Sequence, residues 1–251
     1  MQPSSESTAS TESISIGNIR SAGGLDSNAG RPSDKHNFTL LLKKLRETLD
    51  AQGKSDGKHY LLTIAAGAGA AYPDKAELSE IHKYLDYAAI MTYDLHGTWD
   101  RYTDLHAPLY DNSDPSPQYK SSVDSAVKTW KKSDFPMDKL VLGIPFYGYL
   151  YSSVNGSNQG LYQTFSGANA IGYDRIKKDY LGQRGFQRHF HPQSKVPWLF
   201  NGTVFITYED TESIRAKTDY IKAGGLGGAM VWELSRDQDA ELLNALNDGL
   251  K

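Results

Sequence analysis

Four near-continuous apolar runs of strand length constrain this chain more than any other feature. They are Tyr60–Ala66, Ala88–Tyr93, Leu140–Phe146 and Ala229–Trp232. Runs without polar alternation suit parallel strands covered on both faces. The stretches 75–85, 119–132 and 211–223 between them read as helices, and a last helix reads at 238–247. Strands alternating with helices predict parallel βα units in an α/β fold. Successive runs lie about 28, 51 and 89 residues apart. A (β/α)8 barrel uses roughly 31 residues per unit, so the last interval must hold an insertion. It is expected over 149–207, where strand-like Thr203–Thr207 sits among Tyr, Phe and Trp residues.

The full length of 251 residues matches one ordinary barrel, but the segments do not fill one. Residues 1–30 are rich in Ser, Thr and Gly without helical or strand periodicity, and read as a disordered leader. They carry no basic region followed by an apolar stretch, so no secretory signal is expected as written. Ser33 is placed to cap a helix whose apolar face is Phe38, Leu41, Leu42, Leu45 and Leu49, with Gly53 as its stop. The expected organisation is therefore a leader at 1–30, a parallel α/β layer at 31–148 and 208–251, and an inserted α+β unit at 149–207. Four of eight barrel units are accounted for.

Bulk properties remove several function classes. Lys and Arg total 27 against 30 Asp and Glu, a net charge of −3, which argues against a dedicated nucleic-acid or anionic-membrane binder. No apolar run approaches the roughly 18 residues of a membrane span. With no cysteine there is no disulfide framework, thiolate nucleophile or cysteine zinc site. The Gly67–Ala70 and Gly224–Gly228 stretches lack the lysine of a phosphate-binding loop and the spacing of a dinucleotide fold. The histidines are unclustered apart from His189 and His191, which read as surface positions on a strand. Three Asn-x-Ser/Thr sequons, at Asn37, Asn155 and Asn201, matter only for a secreted product.

In parallel βα folds the reacting groups sit at the C-terminal ends of strands. Here those ends carry Met91, Tyr93 and Asp94, then Tyr147, then Trp232, with Glu233 expected to pair with Arg236 instead of joining the site. Aromatic faces beside carboxylates suit a neutral polyhydroxyl ligand and suit a phosphate poorly. Three of these segments, Met91-Thr92-Tyr93-Asp94, Gly143-Ile144-Pro145-Phe146-Tyr147-Gly148 and Gly227-Gly228-Ala229-Met230-Val231-Trp232-Glu233, occur in the order and spacing of bacterial family 18 chitinases. The chain resembles the C-terminal part of that family over residues 23–251. Lys195–Trp198 and Phe205–Asp210 resemble its insertion domain.

The resemblance implies a partial (β/α)8 barrel, about its last four βα units, carrying a chitinase insertion domain. It implies action on, or binding of, chitin or N-acetylglucosamine oligosaccharides without any cofactor, and an extracellular setting. Family 18 enzymes work by a substrate-assisted mechanism outside the two-carboxylate scheme. A glutamic acid protonates the leaving oxygen while the substrate's acetamido carbonyl attacks the anomeric carbon. Tyr93 matches the residue that holds the acetamido group, Asp94 a carboxylate bonding substrate near the cleavage point, Trp232 the floor of the subsite holding the distorted sugar, and Tyr147 a rim residue. The family's usual arginine after Phe-Tyr-Gly is replaced by Tyr149. The acid itself, at the end of Asp-x-x-Asp-x-Asp-x-Glu, has no counterpart: Ser13–Ser21 stand in its place, and Glu12 lacks the two tuning aspartates. The expectation is a truncated, inactive chitinase relative with no catalytic residue of its own. A non-catalytic chitin-binding module is the alternative, and two open sheet edges favour self-association of half-barrels.

Overall fold

The computed structural model describes residues 13–16 and 30–251. The first strand, β1 (Ser13–Ile16), lies inside the segment read as a disordered leader, and residues 1–12 and 17–29 of that segment fall outside the described residues. After it come α1 (Asp34–Asp56), β2 (Leu61–Gly67), α2 (Tyr72–Lys75), α3 (Leu78–Ile81), β3 (Tyr87–Met91), α4 (Val123–Lys132), β4 (Leu140–Pro145) and β5 (Tyr147–Ser152). The chain continues through β6 (Gly167–Gly172), α5 (Tyr173–Asp179), β7 (Gln187–Phe190), β8 (Pro197–Phe200), β9 (Phe205–Thr207), α6 (Thr211–Gly224), β10 (Gly228–Trp232) and α7 (Glu241–Leu250).

These strands form two five-stranded sheets. One is parallel, in the order β1-β2-β3-β4-β10. The four runs read from the sequence are its last four strands, and the count of four is corrected to five. Ser13 of β1 stands opposite Leu61 of β2; its Ser-Ile-Ser-Ile pattern lies in a polar stretch and gives no apolar run. The other sheet is antiparallel, in the order β6-β5-β9-β8-β7. Strand β4 is buried at every position, as expected of a strand covered on both faces.

Helix boundaries shift for identifiable reasons. Ser33 sits at the start of α1, but its side chain makes no capping bond; Asp34 instead accepts the backbone N–H of Arg31 at 2.9 Å. Gly53 does not stop α1. It is buried in the helix because a side chain there would strike the Lys58 carbonyl, and Gly57, at φ 65°, is the C-cap. Of the stretch 75–85 only the single turn α3 is helical: α2 ends at Lys75 because Ala76 is extended. Helix α4 begins at Val123 because extended Ser122 forms a capping box with Ser125. Helix α7 begins at Glu241 because Ala240 is left-handed.

Two apolar clusters result. The larger packs α1, α4, α6 and α7 on the parallel sheet through Leu42, Ile64, Ile90, Trp130, Ile144, Ile214 and Leu242. The smaller belongs to the antiparallel sheet and joins Tyr149, Tyr151, Trp198, Phe200 and Phe205 to Leu105, a residue of the long loop between β3 and α4. That loop is thereby packed against the second sheet.

Candidate functional site

The parallel register brings the strand ends into one rim: Gly67 pairs with Met91, and Pro145 with Trp232. The motif residues follow from there. Tyr93 lies two residues beyond β3, and Asp94 next to it adopts φ 54°. A left-handed backbone is uncommon outside glycine, and Asn and Asp tolerate it best. Tyr147 opens β5, and Trp232 closes β10 with a cis peptide bond to Glu233.

Asp94 is the hub. Its Oδ1 accepts hydrogen bonds from His106 Nε2 at 3.0 Å, from the Tyr149 hydroxyl at 2.7 Å and from the Tyr147 hydroxyl. Oδ2 has no hydrogen-bond partner among the described residues. Burial alone would raise the Asp94 carboxyl, but the bonds from His106, Tyr147 and Tyr149 outweigh it and hold the group below its ordinary value. The tyrosines shift the other way. Burial first, then the bond to Asp94, pushes the Tyr147 phenol far above its ordinary value, so it stays a donor. The Tyr93 phenol, 8% exposed, is pushed up to about 12 by burial and by Asp94. Its hydroxyl makes no hydrogen bond among the described residues, and its ring meets that of Tyr147 edge-on at 6.1 Å.

Asp94 separates two recesses. On one side Tyr147, Tyr149, Asn169, Arg175, Trp232 and Glu233 help line an open cleft of about 540 Å³. On the other, Gly67, Gly69, Met91, Tyr93, Tyr119 and Ser121 help line one of about 310 Å³. Both volumes fall in the range of small-molecule sites. All five sequence candidates lie on these walls: Met91 and Tyr93 on one side, Tyr147 and Trp232 on the other, Asp94 on both. Trp232 is 56% exposed. Glu233 accepts from Arg236 at 2.8 Å, the pairing expected.

Three contributors escaped the sequence reading. His106, set aside as unclustered, is 1% exposed with its ring 4.7 Å from Tyr147 and 4.9 Å from Tyr149. Tyr149, noted only as a departure from the family, donates to Asp94. Trp99, exposed, meets the cleft-lining Tyr149 edge-on at 5.9 Å. His191 also departs from expectation: it is buried, bonding Ser194 N and Asp114, because the chain turns inward after β7. The spacing Asp237-Gln238-Asp239-Ala240-Glu241 recovers part of the acid motif but serves a helix start. Asp237 accepts from the backbone of Glu241 and Leu243, and Lys177 holds Glu241 at 2.7 Å.

A carboxylate with one free oxygen, a free phenol and an exposed indole around open clefts can bind hydroxyls, amides and the apolar face of a ring. Chitinase A1 of Niallia circulans is 42% identical over 247 residues, covering 91% of this chain and 35% of its own length. A family 18 N-acetylglucosaminidase from Paenibacillus barengoltzii superposes with TM-score 0.84 at 42% identity, covering 88% of this chain and 66% of that one. Chitinase ChiA74 from Bacillus thuringiensis gives TM-score 0.90 at 37% identity, covering 95% and 43%. The chain spans about a third to a half of the length of the curated relatives it matches. Residues 16–237 match the model of glycosyl hydrolases family 18, and the chain belongs to that family.

Proposed function

We propose that the chain carries the substrate-positioning side of a chitinase-type site and binds β-1,4-linked N-acetylglucosamine oligosaccharides without hydrolysing them as these 251 residues. The carrying observation is Asp94, charged, fixed by three donors on one oxygen and free on the other, between an exposed Trp232 and an unbonded Tyr93 hydroxyl. In this reading the parallel sheet is part of a (β/α)8 barrel and the antiparallel sheet is its chitinase insertion domain. Trp232 stacks under a sugar ring, Asp94 accepts a hydroxyl or acetamido N–H, and Tyr93 donates to the acetamido carbonyl.

The 251 residues contain no Asp-x-x-Asp-x-Asp-x-Glu segment. Proton donation by a positioned acid contributes typically 10²–10⁴-fold, so turnover is expected to be negligible. Titration with tetra-N-acetylchitotetraose, followed by tryptophan fluorescence, should give a saturable change; none at millimolar sugar would defeat the binding reading. Turnover of a fluorogenic chitobioside at the rate of an intact chitinase would defeat the second half. Among the described residues strands β1 and β10 end the parallel sheet, and pairing of such edges between two copies is the expected route of self-association, read by the oligomeric state in solution.

A further inference from the structure

The loop between β3 and α4 delivers His106 to Asp94, and its backbone is tied down at several points. Thr103 N–H donates to the Gln163 carbonyl at 2.8 Å, His106 N–H to Thr207 Oγ1 at 2.9 Å, and Leu109 N–H to the Ser194 carbonyl at 2.8 Å. A further tie comes from a charged side chain: Lys217 Nζ donates to the Ala107 carbonyl at 2.8 Å. Lys217, on α6, is 0% exposed and also donates to Glu209, 2% exposed and one residue before the α6 N-cap Asp210. Burial pushes the Lys217 ammonium down and the Glu209 carboxyl up from their ordinary values.

A buried ion pair is a poor source of stability, because desolvating two charges offsets most of their attraction and apolar residues would fill the space as well. What an apolar residue cannot do is donate to Ala107, the residue next to His106. We propose that Lys217 and Glu209 are a positioning pair for the cleft: Glu209 orients the ammonium, the ammonium fixes the Ala107 carbonyl, and His106 is thereby seated on Asp94. The consequence for ligand affinity rests on the saccharide reading of the cleft; the seating of His106 does not.

The test is the double variant Lys217→Met/Glu209→Gln, which removes both charges together so that neither is left buried alone. Two quantities are read in parallel: the His106 Nε2–H resonance by nitrogen-15 NMR, and Kd for tetra-N-acetylchitotetraose. The double variant should melt cooperatively, lose the resonance, and bind about tenfold more weakly, the effect of one hydrogen bond to a charged group. Glu209→Gln alone, whose amide oxygen can still accept from the Lys217 ammonium and so keep it oriented on Ala107, should keep the resonance and lose less affinity than the double variant. A double variant with an unchanged resonance overturns the proposal. So does a single variant that loses as much as the double, since the effect would then be general destabilisation. Should the double variant not fold, Lys217→Gln, too short to reach Ala107, is read the same way. A parent protein that keeps the resonance but binds no sugar defeats the saccharide reading and leaves the positioning pair standing.

Discussion

The Tyr149 hydroxyl lies 2.7 Å from Asp94 Oδ1 and so ties β5, in the antiparallel sheet, to the turn after β3 in the parallel one. A hydrogen bond to a charged group contributes roughly 1.5–3 kcal/mol. Asp94→Asn keeps the left-handed backbone and removes the charge. It should weaken tetra-N-acetylchitotetraose binding about 10- to 100-fold. Combined with Tyr149→Phe in a double-mutant cycle, unfolding should show a coupling of about 0.5–3 kcal/mol. Additive unfolding energies would mean that the two groups do not interact.

A pH dependence follows from His106. Burial holds its imidazole below the ordinary value, against the opposing pull of Asp94. The unfolded chain takes up this proton near pH 6.5, and the folded chain only at lower pH. Stability is therefore fully present above about pH 6.5 and declines as pH falls through the interval down to the folded value. The Tm advantage of the parent over His106→Gln should shrink from pH 7 to pH 5. A constant difference would show that His106 titrates normally.

Trp232 separates binding from stability. Because its side chain is 56% exposed, Trp232→Ala should leave Tm within a few degrees. It should raise Kd for the tetrasaccharide about tenfold, the order expected for loss of an aromatic face. Retained affinity would place the sugar elsewhere.

Gly143 links the sheet to the site. A Cβ there would sit 2.5 Å from the Ile90 carbonyl and 2.9 Å from the Tyr93 ring, and Thr92 Oγ1 donates to the Gly143 carbonyl at 2.8 Å. Gly143→Ala should destabilise by about 1–3 kcal/mol and displace Tyr93. A denaturant midpoint equal to that of the parent would show that the strands yield freely.

The parts of the fold that were legible in the sequence are those fixed by local pattern. Strands β2, β3 and β4 announce themselves because their residues are mostly buried, and β10 by its apolar run although it is only partly covered; the motif residues at their ends stand on the observed rim. Strand β1 was missed because pairing with β2 in a polar Ser-Ile stretch leaves no apolar run. The end of α1 was misread because Gly53 is there for the close approach of Lys58, a tertiary constraint, while Gly57 supplies the positive φ. His106 and Tyr149 were invisible as site residues for a related reason. They lie 12 and 55 residues from Asp94 in the chain, and nothing periodic connects them; only folding of the long loop onto the second sheet places three donors on one oxygen.

The packing of Leu105 into the antiparallel sheet's own core, one residue before His106, has a bearing on how such clefts diversify. The wall of the cleft and the loop that completes the carboxylate hub pack as one piece, although residues 110–146 separate them along the chain. Transplanting residues 147–207 alone from a relative would bring a new Tyr149 and Thr207 against an old loop, and the hub would lose its fit. A chimera that also carries residues 95–109 and the Glu209–Lys217 segment keeps the cleft intact, so recombination within this family should succeed at those paired boundaries and fail between them.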